Sequence, residues 1–570
     1  MRRLLALLVL AAAGCTQGGG PTSSTPPVGS APSQTTHAHT GPPQTVAAWA
    51  KDAKLFGDLG VFQRKATTTN PEAQKYFDQG MRLLWAFNHD ESTRSFAKAA
   101  ALDPSCAMCY WGVALTVGPN YNLPAMVEPR AKVAWEALQL AQKNAPKAAP
   151  VEQALIDALG KRYQGPTPLD PASLGPAVAA YATAMRDVAT KFPDDLDVQV
   201  LFAEALMNLN AWKLYALDGK AAAGTPEIEA TLERVMAKSP SHPGANHYYI
   251  HTVEASQQPG RALPSAERLR GMMPGAGHLQ HMPAHILQRV GRYADAAQAN
   301  RDGATADVAY LGSTPRLDYY EMYLLHNYAF LAFSEAMDGR KAAAIEAAVK
   351  TRDAMSVQML VEMPGVDWYV SEVYTTLLRF GEFDRVIAEP APDARLKGLS
   401  GGYHYARAVA FAAKGRVDEA NAALAELDKI AAATPADFSA GLNLAKDVFV
   451  VARLVAQAEI ARASGKTDEA IARFKEAVAK EDQLAYDEPE DWFVPVRHQL
   501  GAALLKAGKP PEAEAVYRED LRRHPKNGWA LFGLAQALRA QKKDKDAAAV
   551  DAEFAEAWKR ADVKLTGSVY

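Results

Sequence analysis

Apolar and small residues return at helical spacing from about residue 71 to near the end of the chain, broken at intervals by turns containing Gly or Pro. The clearest early unit is EAQKYFDQGMRLLWAFNHDESTRSFAKAAALDP. Counted from Ala73, it places Gly80 at position 8, Phe96 at 24, Ala99 at 27 and Pro104 at 32. The late segment LGAALLKAGKPPEAEAVYREDLRRHP places Gly501, Ala513, Tyr517 and Pro525 at 8, 20, 24 and 32, and NGWALFGLAQALRAQKKDKDAA follows it. Gly291, Gly339, Gly381, Gly415 and Gly465 mark further turns between helices. Small residues at positions 8 and 20 let two helices approach closely, and the residues at 24 and 27 fill the joint with the next pair. The pattern predicts an all-α solenoid of antiparallel helix pairs. It is least regular over 120–240.

Two 34-residue units lie back to back over 243–310. The first begins PGANHYYIHTVEAS and the second GHLQHMPAHILQRVGRYADA. His247 and His281 are at the fifth position of their units, His251 and His285 at the ninth, and Ala262 and Ala296 at the twentieth. Histidines four apart share one helix face, so equal offsets in adjacent repeats bring the pairs side by side. Pro283 interrupts this geometry, because proline belongs in the first turn of a helix. The helix therefore starts near Met282 or is kinked there.

The chain opens MRRLLALLVLAAAGC, a positive region and a short apolar core too brief to span a membrane, as in a signal peptide. The Gly-, Pro-, Ser- and Thr-rich stretch that follows predicts a disordered tether, with lead-in to about residue 70. His37 and His39 fall in this tether and fit its composition. Net charge is −3, from 62 Lys+Arg against 65 Asp+Glu, with no basic tract, and this predicts no nucleic-acid partner. Three cysteines rule out a disulfide framework. Cys106 and Cys109 are expected as a buried pair or a disulfide, in preference to a redox site.

On these features the chain resembles a tetratricopeptide-repeat protein. It is similar in particular to long exported bacterial members with NHDE, CAMCYWG, NHYYIH and HMPAHI segments, here Asn88–Glu91, Cys106–Gly112, Asn246–His251 and His281–Ile286. The resemblance covers most of 71–560 and implies a right-handed superhelix, with N-terminal repeats over 71–310, C-terminal repeats over 311–560 and a tail from 561. The Ala-Ala-Gly-Cys ending of the first segment also resembles the lipobox of bacterial lipoproteins, although Ala12 stands where leucine is preferred. That likeness implies lipidation at Cys15, a membrane tether and, from Thr16 behind it, an outer-membrane protein facing the periplasm.

In such solenoids the first helix of each pair lines a concave groove through positions 2, 5, 9 and 12. That rule places His247, His251 and Glu254 in the groove, His278, His281 and His285 beside them, and His326 one unit further round. Stacked helices lie about 8–10 Å apart. Imidazoles from two of them reach one cation at about 2 Å each, and neutral imidazole suits Zn, Cu, Ni or Fe. Glu254 is a ligand, an orienting partner or a general base. The same side chains equally form a polar groove floor that binds a protein or peptide. By the same offset His498 faces the groove. Arg497 then either grips a ligand carboxylate or clasps Asp491 or Glu488. Asn88 or Asp90 is expected to cap the helix that follows. His404 is expected in the core. No phosphate loop, HExxH or GxSxG is present. The leading expectation is a membrane-tethered scaffold that recognises a protein or peptide. Its rival is a metal-dependent enzyme or metal carrier built on the histidine cluster, with Zn, Cu or Fe.

Overall fold

Phe96 shows how the stack is built. It is fully buried on the helix His89–Leu102, between Gly80 on Pro71–Trp85 and Gly112 on Ala107–Thr116. A Cβ at Gly80 would lie 2.6 Å from the Phe96 ring, and one at Gly112 2.4 Å from it. The ring thus occupies the space that two missing side chains vacate, and three consecutive helices close around it. Tyr517 repeats the device near the C-terminus, between Gly501 and Gly533 on the helices Val496–Lys506 and Gly528–Ala540.

The structure, a computed structural model, describes residues 41–314 and 320–570. It is almost entirely helical, and consecutive helices pair throughout, as in a helical-repeat solenoid. Lys397–Ala413 packs on Val417–Ala433, Ala445–Ala463 on Thr467–Glu481, and Gly528–Ala540 on Asp544–Ala557. The expected turn residues Gly381, Gly415 and Gly465 take φ of 71°, 74° and 74°, a left-handed conformation that strains any side chain with a Cβ. The described strands are two-residue segments, Ser439–Ala440 and Asn443–Leu444, in one small hairpin.

Two apolar bodies carry most of the core, one from residues between Val46 and Tyr323 and the other from residues between Ala297 and Val550. The chain does not run on as an open spiral. Its last repeats return to the middle. The Arg560 guanidinium pairs with Asp338 at 2.7 Å, the Trp529 indole N–H donates to Ala336 O at 2.9 Å, and Asp562 accepts from Lys341 N at 2.7 Å. The loop between Thr467–Glu481 and Val496–Lys506 also turns inward, and Glu488 and Asp491 in it are buried. This closure brings residues from opposite ends of the sequence to one site.

Part of the expected linker is ordered. Residues 41–70 pack along helices from Pro71 to about residue 313, with Trp49, Leu59 and Ala66 buried and the Arg64 side chain paired to Asp195 and Asp197 at 2.8 and 2.7 Å. Buried apolar contacts outweigh the polar composition of this stretch. Cys106 and Cys109 are joined by a disulfide within one helix turn. Asn88 caps its helix, its side chain accepting from Glu91 N at 3.2 Å.

Gly112→Ala forces a methyl group into the Phe96 ring. The variant is expected to lose about 1–3 kcal/mol of stability, the usual cost of overpacking, read as a lower urea midpoint with an unchanged slope.

Candidate metal centre

The helix Pro243–Val253 begins at His242, whose Nδ1 accepts from Ala245 N at 3.2 Å. It carries His247 and His251 one turn apart on its inner face, both buried. The next segment breaks where Pro283 requires it. Gly277–His281 ends, Met282 makes the bend, and Pro283–Arg289 starts anew. Despite the break, His278, His281 and His285 all point inward. His326 reaches the same place from Glu321–Met337 and is the least enclosed of the six.

These side chains form groups whose donor atoms lie within 4.8 Å of one another: His247, His251 and His278; His281, His285 and His326; and Glu254, His285 and Glu488. By donor type and spacing alone, each group is a candidate metal site. Within the first, His247 Nε2 lies 3.2 Å from His278 Nε2. Within the second, His281 Nε2 lies 2.7 Å from His285 Nε2 and 3.2 Å from His326 Nε2.

The outward-facing nitrogens are held by the protein. His247 Nδ1 donates to Trp85 O at 2.6 Å. His281 Nδ1 donates to Asn300 Oδ1 at 2.6 Å, and Asn300 is fixed in that orientation because its Nδ2 donates to Ala296 O at 2.9 Å. His251 Nδ1 donates to Glu254 Oε1 at 3.1 Å. A ring that donates through Nδ1 turns the Nε2 lone pair toward its neighbours, the tautomer that binds a metal. Buried His251 Nε2 and His278 Nδ1 have no hydrogen-bond partner in the protein.

Burial, and then the neighbouring imidazoles, hold His247, His278 and His281 well below the ordinary 6.5. Burial also lowers His251 against the pull of Glu254, and desolvation with His285 lowers His326 to about 3. His285 is the exception. Burial opposes its charge, but Glu488 and Glu254 outweigh that and raise it to about 10. Its Nδ1 lies 2.7 Å from Glu254 Oε2 and touches Glu488 Oε2, close contacts that are not aligned as hydrogen bonds. Burial works against ionisation of Glu254 too, yet His285 and His251 bring it down to about 2. Glu488 is pushed up to about 7 by burial, with the Glu254 charge adding to the rise. Without a metal, then, one imidazolium sits against one firmly ionised carboxylate, and the other five rings are neutral.

Glu488 is the member that sequence reasoning missed. Its segment is visible as a break in the repeat rhythm, but nothing in the order of residues says that the break folds onto a helix some two hundred positions earlier. Phe87 is a second omission. At φ 54° it adopts a conformation unfavourable for an aromatic residue, and its ring stacks on His251 and His278 with centroids 5.7 Å from each. Arg497 and His498, expected at a groove, are both buried. Arg497 forms a two-pronged pair with Asp482 at 2.8 and 2.7 Å, and His498 Nε2 meets Asp520 Oδ2 at 3.0 Å. Both side chains are engaged inside the fold, so neither is presented to a ligand. Arg497 is thus a clasp, but with a partner other than the expected Asp491 or Glu488. His404 is half-buried beside Tyr403. His89 is buried with both ring nitrogens unpartnered and belongs to none of the three groups.

The expected scaffold function is corrected here. The residues assigned to an open peptide groove are interior: His247 and His281 have no exposed surface, and Glu254 and His285 have 1 % each. A protein segment cannot reach them. The membrane tether, with the lipoprotein, palmitate, outer-membrane and periplasm attributes that went with it, is likewise left without support. No helix among the described residues is long and apolar enough to cross a membrane. The segment on which the tether rested, residues 1–15 with Cys15, lies outside the described residues, as do His37 and His39.

No family model matches the chain, and no curated protein matches it. Among solved structures it is similar to the human IFIT1 dimer with m7Gppp-AAAA, at 13% identity over 80% of this chain and 90% of that one, TM-score 0.31. The human IFIT1 dimer with PPP-AAAA gives 12% identity, the same coverages and TM-score 0.31. Naa15/Naa10 bound to HypK-THB gives 14% identity over 86% of this chain and 70% of that one, TM-score 0.23. The expectation that excluded nucleic acid is not carried further. IFIT1 is solved with nucleotide ligands, and a net charge averages over local patches that decide such binding. At this identity and TM-score the likeness assigns no ligand to this chain.

The raised His285 has a pH signature. Its stabilising contribution is complete below 6.5 and fades as pH rises toward about 10. His524, raised to about 10 by Glu490 and Asp520 against its burial, adds a trend of the same sign. Metal-free protein is therefore expected to lose stability between pH 7.5 and 10, on the order of the shift between those values. Glu488→Gln is expected to shrink that loss, because one of the two carboxylates that raise His285 is gone while Glu254 still pairs with it. Urea denaturation of both proteins across the range measures the two effects.

Proposed function

We propose that this protein is a metal-dependent enzyme whose resident transition metal is bound by the buried histidine cluster. The observation that supports this most directly is the orientation of the rings. Protein acceptors take the Nδ1 protons of His247, His251 and His281, which leaves Nε2 lone pairs converging where no hydrogen-bond donor is supplied for all of them. Nitrogen donors of this kind suit Zn, Cu or Fe. Each group offers three protein donors, so an ion there keeps an open position, as catalytic sites do and closed structural sites do not. The enclosure of the ligands fits a resident ion better than one handed on by a carrier. The ion's place in the chemistry is to act as a Lewis acid or redox centre. The chain's own part is to orient the rings, to exclude water and, through Glu254 and Glu488, to hold a proton at His285.

The helix pairs are read as tetratricopeptide-type repeats in a right-handed superhelix. The small and aromatic positions at Gly80, Phe96, Gly501 and Tyr517 support that reading, since each ring fills the joint between successive pairs.

Protein purified without an affinity tag is expected to carry stoichiometric Zn, Cu or Fe by elemental analysis. The His251→Ala/His285→Ala double variant is expected to lose it. Protein that stays metal-free after reconstitution with all three ions removes the proposal.

A further inference from the structure

We infer that the six histidines hold two transition-metal ions side by side, one on His247, His251 and His278 and the other on His281, His285 and His326. This rests on the reading of the cluster as a metal centre and adds the number of ions and their arrangement.

The donors fall into two sets by distance. Within each set the ligand atoms lie within 4.8 Å of one another, and no group of six or of four satisfies that limit among the described residues. A single ion on either set would take its three imidazoles and leave the other three crowded beside it with nothing to bind. The sets nevertheless adjoin. The His251 and His285 rings have centroids 5.5 Å apart, and those of His278 and His281 are 5.7 Å apart. Ions held by two sets this close would be neighbours, the arrangement of paired-metal sites.

The surrounding protein treats the sets as a pair. The Glu254 carboxylate spans them, with Oε1 on His251 of the first at 3.1 Å and Oε2 on His285 of the second at 2.7 Å. It fixes one ring of each against a single rigid group. Glu488 reinforces the second side. These two buried carboxylates also offset the charge of two cations, which would otherwise repel strongly in so dry a place. The third group, Glu254, His285 and Glu488, shares His285 with the second set. A neutral imidazole has one lone pair, so when His285 binds through Nε2 its Nδ1 keeps a proton for the carboxylates. That group is the support of the pair, not a third metal position.

The alternation has a cause in the sequence. His247 and His251 come from one unbroken helix, and His281 and His285 straddle the break at Pro283. The bend leaves His278 on the side of the first set and turns His285 toward His326.

The test uses the full chain loaded with Cu2+ and washed with a weak chelator. Elemental analysis is expected to find two ions per chain. Electron paramagnetic resonance is expected to show a dipolar-coupled spectrum, broadened and with a half-field transition, because neighbouring Cu2+ ions couple magnetically. His247→Ala and His326→Ala are each expected to retain one ion, which now gives a full uncoupled signal. The far-ultraviolet circular dichroism of each variant verifies its fold, and the wild-type ion count and spectrum stand without either variant. One ion per chain, three ions, or two ions with an uncoupled spectrum overturns the pairing while leaving a metal centre. No retained ion overturns the pairing and the metal-dependent reading together.

Discussion

The structure depends on a balance of charge in a place that water does not reach. Five buried imidazoles, the partly buried His326 and two buried carboxylates gather between the helices. An unpaired charge there costs several kcal/mol, so the fold must neutralise the rings or pair them. It does both. Five rings are kept neutral by burial and by one another, and the sixth, His285, keeps its proton only because Glu254 and Glu488 meet it. The backbone carbonyl of Trp85 and the amide of Asn300 take two more protons and fix the ring orientation.

The repeat architecture makes such an interior possible. A helix pair repeated at constant spacing offers the same positions again and again, so a ring on one repeat finds a ring on the next at ligand distance. Regularity alone would make a stripe of histidines along a surface. Two departures turn the stripe into an enclosed centre. The bend at Pro283 reorients His285, and the inward loop after Glu481 carries Glu488 under the cluster. The strained Phe87 backbone sets an aromatic ring against the far side, excluding water where His251 and His278 meet it.

Much of this was legible in the residues. The spacing of Gly80, Phe96, Gly501 and Tyr517 announced close helix pairs, and the doubled HxxxH offset announced that four rings would converge. His278 and His326 followed from the same register. The groove was the error, because a position rule for an open solenoid cannot tell a concave surface from the inside of a chain that closes on itself. Arg497 shows the limit well. Its charge suggested a ligand, but Asp482, fifteen residues earlier, already occupies it.

By itself, then, the order of amino acids settled what is periodic: helices in pairs, turns at glycine, and imidazoles brought together by equal offsets in neighbouring repeats. Those follow from local geometry, which every repeat shares. Tertiary structure alone decided that the rings face inward, that they divide into two sets, and that Glu488 completes their support. Those outcomes depend on contacts between segments hundreds of residues apart, and the position of such segments is decided by the closure of the whole stack, which no local pattern encodes.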